Sequence, residues 1–182
     1  MADTATTFGI GDPVPAFTLT DTEGERHQVP AEQAPPATVL IQSCNHCPYV
    51  VAWNPRLRAV AEDYAPRGVR FLAINPNDAE RYPRDSFEAM KERVRNGDWP
   101  DEIPYLRDET QEVARGFGAQ TTPDVFVLDS DLALRYRGAP DADHSDPAQD
   151  AAWLREALDA VLAGSEVPRP QTEPVGCSIK WK

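Results

Sequence analysis

The protein has 182 residues, with 18 basic and 30 acidic side chains and a formal net charge of −12 at pH 7. This length fits one domain with its own hydrophobic core, and the acidic balance argues against binding to nucleic acid or to anionic membrane surfaces. No stretch of the sequence is apolar enough to span a membrane. The first residues show neither a basic start nor an apolar segment, so we expect a cytoplasmic protein.

The first third of the chain predicts a β-hairpin, a buried strand and a helix. A strand near residues 17–19, a turn at 21–24 and a returning strand form the expected hairpin. The apolar run at 37–41 is typical of a buried strand. From Pro48 to Gly68, large apolar residues recur every three or four positions, which predicts a helix with one apolar face.

The middle third predicts one more strand and two helices. Residues 69–74 form a second apolar run that is typical of a buried strand. Asp85 and Glu88 have the spacing of a capping box, so we expect a helix to begin there. The same spacing recurs at Asp108 and Gln111, before a short helical pattern.

The last third predicts an antiparallel hairpin and a C-terminal helix. Apolar runs at 125–128 and 132–136 flank a polar turn, which favours a hairpin. A helix is expected with Asp146 as its N-cap, Pro147 at its first position and Gly164 after its end.

This order of elements predicts an α/β fold. Alternating strands and helices followed by a hairpin indicate a central mixed β-sheet with helices on both faces and an N-terminal β-hairpin. We expect residues 1–10 to form a flexible leader and residues 11–164 to form the domain. Residues 165–182, which are rich in proline at first, are expected to run as an extended tail across the domain.

The motif Cys44-Asn45-His46-Cys47 at a strand-to-helix junction is the strongest chemical pattern. A thiol at a helix N-terminus meets unpaired N–H groups and the positive end of the helix dipole, and both stabilise a thiolate. A protonated His46 would add positive charge. We therefore expect Cys44 to be the attacking thiol, Cys47 to be the shielded resolving thiol, and His46 to assist them.

Two other interpretations of the motif are half of a zinc site and a pair of ordinary core thiols. Zinc requires four ligands. The candidates left in the sequence are Cys177, His27, His46 and His144, and a second C-x-x-C motif is missing. Redox chemistry is therefore the favoured interpretation, and no metal is expected.

Thr122-Pro123, directly before a predicted strand, completes a second pattern. With the C-x-x-C motif it resembles the thioredoxin superfamily, and most closely the branch that shares its N-terminal hairpin with peroxiredoxins of the AhpC/TSA type. The segments CNHCPYV, TPDVFVLD and GCSIKWK resemble that branch. The resemblance implies a thioredoxin-like fold, in which the loop of Thr122 and Pro123 packs beside the disulfide and pairs with a substrate strand.

The sequence departs from thioredoxin and from peroxiredoxin at informative positions. The inner dipeptide is Asn-His, and a histidine just before the second cysteine resembles the oxidase and isomerase members. The buried acid of thioredoxin falls on Thr38, so proton transfer to Cys47 must use another group. Cys44 stands where peroxiredoxins have a hydroxyl residue and Pro123 where they have an arginine, which argues against a peroxidase except as a side activity.

Cys177 is the third thiol, and two roles are open to it. It can be a packing residue of the tail, or a relay thiol that exchanges with Cys44 or Cys47. Ile179 and Trp181 beside it are apolar enough to dock the tail on the domain.

These patterns predict a thiol–disulfide oxidoreductase. The Cys44 thiolate would attack a substrate disulfide and Cys47 would release the product. No cofactor is expected, and the partners would be protein or small-molecule disulfides and a thiol reductant. The alternatives are a peroxiredoxin-like thiol peroxidase and a non-enzymatic thioredoxin-fold protein with a Cys/His zinc site.

Overall fold

A computed structural model of the protein describes residues 8–182. The strands in this range are β1 (Phe17–Thr20), β2 (Arg26–Val29), β3 (Ala37–Gln42), β4 (Arg70–Asn75), β5 (Tyr105–Arg107), β6 (Thr121–Thr122), β7 (Asp124–Asp129), β8 (Leu134–Gly138) and β9 (Cys177–Ser178). The α-helices in this range are α1 (Pro48–Tyr64), α2 (Phe87–Arg95), α3 (Glu112–Gly116) and α4 (Ala152–Leu162). None of the helices described is long and apolar enough to cross a membrane.

The central sheet has five strands in the order β5-β4-β3-β7-β8. Strands β3, β4 and β5 are parallel, whereas β7 and β8 are antiparallel to their neighbours. β1 and β2 form a separate N-terminal hairpin, and β6 pairs with β9. The predicted thioredoxin-like architecture, a mixed sheet with an N-terminal hairpin, is confirmed. Because β3 and β4 are parallel, the loops that follow them meet at one edge of the sheet.

Each face of the sheet is covered by its own hydrophobic core. On one face, α1, α2 and α4 contribute apolar side chains such as Trp53, Met90 and Leu158. On the other face, α3 and the N-terminal segments cover the alternate side chains of the same strands. This burial on both faces explains why β3 and β4 are continuous apolar runs in the sequence.

The proposed leader, residues 1–10, lies largely outside the described residues, which begin at Phe8. Phe8 itself is buried, and its ring centroid lies 5.3 Å from that of Phe117 and 6.3 Å from that of Phe126. The end of this segment is therefore part of the second core.

The predicted N-termini of three helices are wrong, because other hydrogen bonds than the predicted caps determine where each helix begins. Helix α2 is capped by Ser86, whose Oγ accepts a hydrogen bond from Ala89 N at 3.1 Å. Asp85, the expected cap, faces the cysteine loop instead. Asp108 and Gln111 do not form the expected capping box, because the Asp108 carboxylate accepts from the N–H of Ala114, two residues into α3.

Helix α4 begins at Ala152, not at Pro147 as predicted. The buried Asp141 carboxylate accepts hydrogen bonds from Trp53 Nε1 at 2.8 Å and from Ala151 N at 2.9 Å. These bonds fix the chain just before α4 and keep residues near Asp146 in a turn.

Candidate active site

Three thiols meet where the loop after β3 approaches the C-terminal tail. Cys44 and Cys47 lie between β3 and α1, and Cys47 is the N-cap residue of α1, whose first helical residue is Pro48. Cys177 lies on β9. All three are free thiols, and the exposed fractions of Cys44 and Cys47 are 3% and 6%. The helix begins at Pro48, as the sequence predicts, so the N-cap position belongs to Cys47 and not to Cys44, which lies three residues before it.

Cys47 occupies the middle of this cluster. Its Sγ lies 2.8 Å from the Sγ of Cys177 and is hydrogen-bonded to the thiol of Cys44. The carbonyl oxygen of Thr122 is 3.2 Å from Cys47 Sγ, and the hydroxyl of the same threonine is 3.2 Å from Cys44 Sγ. Cys47 is thus placed to exchange with either of two other sulfurs.

The contacts around Cys47 lower the pKa of its thiol. Its pKa is lowered to about 4, first by the hydrogen bond with Cys44 and further by Cys177 and the Val50 N–H in the first turn of α1. The Thr122 carbonyl opposes this, because it can accept a hydrogen bond only from a protonated Cys47. Burial also opposes it, but together the three stabilising contacts lower the pKa of Cys47.

The other two thiols are held in their protonated forms. The hydrogen bond with Cys47 and burial raise the pKa of Cys44, and the nearby carboxylate of Asp85 raises it further. Burial and the contact with Cys47 raise the pKa of Cys177 to about 11. These directions are the reverse of the sequence expectation, in which Cys44 carried the thiolate.

Asp85 organises the loop between the cysteines. Its carboxylate accepts hydrogen bonds from Asn45 N at 2.8 Å, from Asn75 Nδ2 at 3.2 Å and from Asn77 Nδ2 at 3.0 Å. His46 Nε2 lies 4.0 Å from the same carboxylate. His46 therefore lies beside Asp85, whereas the sequence pattern predicts that it assists Cys44. The sequence pattern assigns Asp85 to a helix cap and not to the site, although Asn75 and Asn77 at the end of parallel strand β4, which donate to it, were an available signal.

The tail packs on the domain and pairs with the loop of Thr122 and Pro123. Thr122 is the register partner of Cys177 in the antiparallel β6–β9 pair, and the Thr122–Pro123 peptide bond is cis. Ile179 N donates to Gln120 O at 3.1 Å. The backbone edge that the family resemblance reserves for a substrate strand is thus occupied by the protein's own tail.

A buried acid is present, but not at the position that thioredoxin would suggest. Thr38 takes that position, whereas Asp124, next to Pro123, is fully buried. Burial raises the pKa of Asp124 to about 7, although the charge of Arg137 lowers it. Asp124 is therefore a group that can exchange a proton near neutral pH.

The zinc alternative gains no support from the described part of the chain. The cluster of potential ligand atoms found there, all within 4.8 Å of one another, consists of Asp21, Glu25 and His27 in the β1–β2 hairpin and includes no thiol. His144 stacks on Tyr49 with 4.2 Å between ring centroids. Two of the histidines considered as zinc ligands thus have other partners.

The fold and the cysteine cluster define a thioredoxin-like protein with a thiol-based redox function. Residues 10–137 match the AhpC/TSA family, so the chain belongs to this family. No curated protein gives a significant match.

Solved structures similar to this chain extend over nearly its whole length. An uncharacterized conserved protein from Geobacillus kaustophilus is 43% identical, with 97% of this chain and 94% of that chain covered and a TM-score of 0.89. A hypothetical protein from Sinorhizobium meliloti is 35% identical, with 97% of each chain covered and a TM-score of 0.88. A Chlorobium tepidum structure described as thiol:disulfide interchange protein DsbE shares the fold at 20% identity, with coverage of 86% and 99% and a TM-score of 0.67.

Proposed function

We propose that the protein is a thiol–disulfide oxidoreductase that uses Cys44 and Cys47 as its redox pair. The observation that carries this proposal is the position of Cys47, in contact with two further thiols and at the start of a helix. A thiolate that reacts with a disulfide needs a second thiol nearby to release the product. This cluster supplies two.

The reaction begins with Cys47 as the nucleophile. Its thiolate attacks one sulfur of the substrate disulfide, so that a Cys47–substrate bond forms and the substrate S–S bond breaks. The departing thiolate takes a proton from the solvent. Cys44 or Cys177 then loses its proton and attacks the Cys47 sulfur, which releases the second substrate thiol. The protein loses two electrons and the substrate gains them, and a thiol reductant restores the protein.

Cys177 supports this scheme as a relay thiol. Its sulfur is 2.8 Å from that of Cys47, and β9 holds it there by pairing with β6. A tethered thiol at this distance competes efficiently with thiols in solution, because its effective concentration is high. We propose that the Cys47–Cys177 disulfide forms as an alternative to Cys44–Cys47.

Capture of mixed disulfides tests the order of attack. We expect the Cys44→Ser/Cys177→Ser double variant to trap partners on non-reducing gels, because no thiol remains to release them. Cys47→Ser should trap none. Each single variant, Cys44→Ser or Cys177→Ser, serves as the matched control and should still turn over through the remaining thiol. Trapping by Cys47→Ser, together with no reaction of Cys44→Ser, would instead assign the attack to Cys44.

A second candidate function is a thiol peroxidase, and the lowered pKa of Cys47 is the observation that favours it. A peroxidatic thiolate attacks the peroxide O–O bond to give a sulfenic acid and water, and a second thiol then forms a disulfide and releases another water. We expect the reduced protein to consume hydrogen peroxide no faster than free cysteine does at equal thiolate concentration. A much faster reaction would favour the peroxidase.

A further inference from the structure

A small cavity opens over the three sulfurs. Its volume is about 330 Å³, and Cys44, Cys47 and Cys177 all line it. This volume lies at the lower end of the range for small-molecule sites. Because Cys47 is only 6% exposed, a substrate sulfur must enter this cavity to reach it.

The walls of the cavity are basic, although the protein as a whole has a net charge of −12. Arg81, Arg84 and Lys180 line it. Asp85 also lines it, but its carboxylate is buried and accepts hydrogen bonds from N–H groups beneath the loop. Asp78 lies 3.7 Å from Arg81 and offsets part of that charge. Arg84 and Lys180 form no salt bridge within residues 8–182, so these two cations remain available to an anionic ligand.

Lys180 is fixed in place by its backbone. Its N–H donates to Asn77 Oδ1 at 2.9 Å, and its carbonyl accepts from Asp78 N at 2.8 Å and from Gln111 Nε2 at 2.9 Å. Its ammonium group acts on the neighbouring thiol of Cys177, whose pKa it lowers against the opposing effect of burial. The backbone of Lys180 is therefore fixed beside the cavity, and its ammonium group lies 5.8 Å from the ring centroid of Tyr82.

The shape of the site favours a small substrate over a protein strand. Recognition by strand addition requires a free backbone edge. The edge offered by Thr122 is paired with Cys177. An extended polypeptide would have to displace the tail, whereas a small disulfide can enter the cavity directly.

We propose that the substrate is a low-molecular-weight disulfide that carries carboxylate groups, bound by Arg81, Arg84 and Lys180. This inference rests on the proposed exchange reaction and names its substrate class. The Cys47 thiolate attacks one substrate sulfur, one carboxylate-bearing thiol departs, and Cys44 or Cys177 releases the other. The basic wall attracts the carboxylates and raises the rate of encounter.

Three small disulfides that differ in charge test this inference with the full-length reduced protein. The probes are 3,3′-dithiodipropionate, which is anionic, bis(2-hydroxyethyl) disulfide, which is neutral, and cystamine, which is cationic. Each rate constant is divided by that of the same disulfide with 2-mercaptoethanol, which removes differences in intrinsic reactivity. We expect a normalised preference of at least about tenfold for the anionic over the cationic probe at low salt. This preference should decrease strongly at about 1 M NaCl, because the Debye length is then only about 3 Å and salt screens the charges.

Variants that remove positive charge test which residues cause the preference for the anionic disulfide. Arg81→Gln/Lys180→Gln should reduce the anionic-to-cationic ratio by about threefold or more, because two of the three basic groups are lost. Arg67→Gln is the matched control, since Arg67 follows the far end of α1, about 25 Å along the helix from Cys47. It should leave the ratio unchanged. Circular dichroism checks that each variant is folded.

The possible failures are distinguishable. Exchange with the neutral disulfide but no preference for the anionic one would overturn the substrate class and leave the proposed function standing. A preference that persists in the double variant would overturn the assignment to Arg81 and Lys180. No exchange with any of the three disulfides would overturn this inference, and capture of mixed disulfides by the Cys44→Ser/Cys177→Ser variant would then decide the proposed function separately.

Discussion

Asp85 carries a negative charge beneath the loop that holds both site cysteines of the C-x-x-C motif. Its carboxylate fixes the backbone of Asn45 and at the same time raises the pKa of Cys44. The same side chain therefore shapes the loop and biases the shared proton toward Cys44.

Removing the charge of Asp85 should make Cys44 more acidic. In a Cys47→Ser/Cys177→Ser background, which leaves Cys44 as the remaining thiol, Asp85→Asn should lower the Cys44 pKa by roughly one unit. The rate of alkylation by iodoacetamide against pH measures this.

Asp159→Asn, at an exposed position beside the end of α1, is the control and should leave the pKa of Cys44 unchanged. An unaltered Cys44 pKa in a folded Asp85→Asn variant would show that the carboxylate does not act on this thiol.

At the scale of elements, the two-residue pair β6–β9 determines where Cys177 lies. Gly176, directly before β9, packs so closely on the carbonyl of Thr122 that a Cβ at this position would overlap it. The tail can therefore reach its register only with glycine at this point.

The variant Gly176→Ala should displace β9 and separate Cys177 from Cys47. We expect Cys177 to be alkylated faster, by about tenfold, because its sulfur becomes more exposed and loses the contact that raises its pKa. Peptide mapping after timed alkylation measures this. Gly116→Ala is the control, since the Cβ would make an ordinary contact at 4.0 Å with Pro15. Equal alkylation of Cys177 in both variants would show that the close packing does not hold the tail.

The elements that the sequence predicts well are those set by periodic burial. Strands β3 and β4 are buried on both faces and helix α1 on one, so their apolar patterns are strong. Strand β5 has only three residues, and β6 and β9 have two each, which is too short for any periodicity to develop. The start of α4 could not be predicted for another reason. The Asp141 carboxylate that fixes the residue before α4 is also bonded to Trp53, which is far away in the sequence.

At the scale of the whole molecule, the fully buried Asp124 makes folding stability depend on pH. Burial raises its folded pKa to about 7, above the unfolded value of 3.8. The folded state therefore binds more protons between these two values, and stability falls as the pH rises from about 4 to about 7. Above pH 7 this contribution is constant.

Asp124→Asn should remove this penalty. An amide keeps an acceptor for Gln120 N, which now donates to the carboxylate, but has no charge to bury. We expect the variant to gain on the order of 3 kcal/mol over the wild type at pH 8, and much less at pH 4.5.

Urea unfolding at the two pH values measures this difference. Asp131→Asn, in the exposed turn between β7 and β8, is the control and should show no such pH dependence. An equal effect of Asp124→Asn at both pH values would contradict a raised pKa for this residue.

The parts of the candidate site that consist of short sequence motifs were predictable, and the contacts between residues distant in the sequence were not. The C-x-x-C motif, the Thr-Pro pair and Cys177 could all be named from the sequence. The order in which the thiols react could not, because it depends on a tail that returns 130 residues later to Cys47. Lys180 enters the site by the same return of the tail.

Three sulfurs in one cluster are an odd number. Any disulfide formed inside the cluster pairs two of them, so one thiol always remains beside the new bond. If the proposed disulfide forms, the oxidised protein is therefore not inert, because the remaining thiol can attack that disulfide and move it by one position. The three sulfurs would thus form a set of interconverting disulfide isomers. Only the isomers that include Cys177 would tie the tail covalently to the domain.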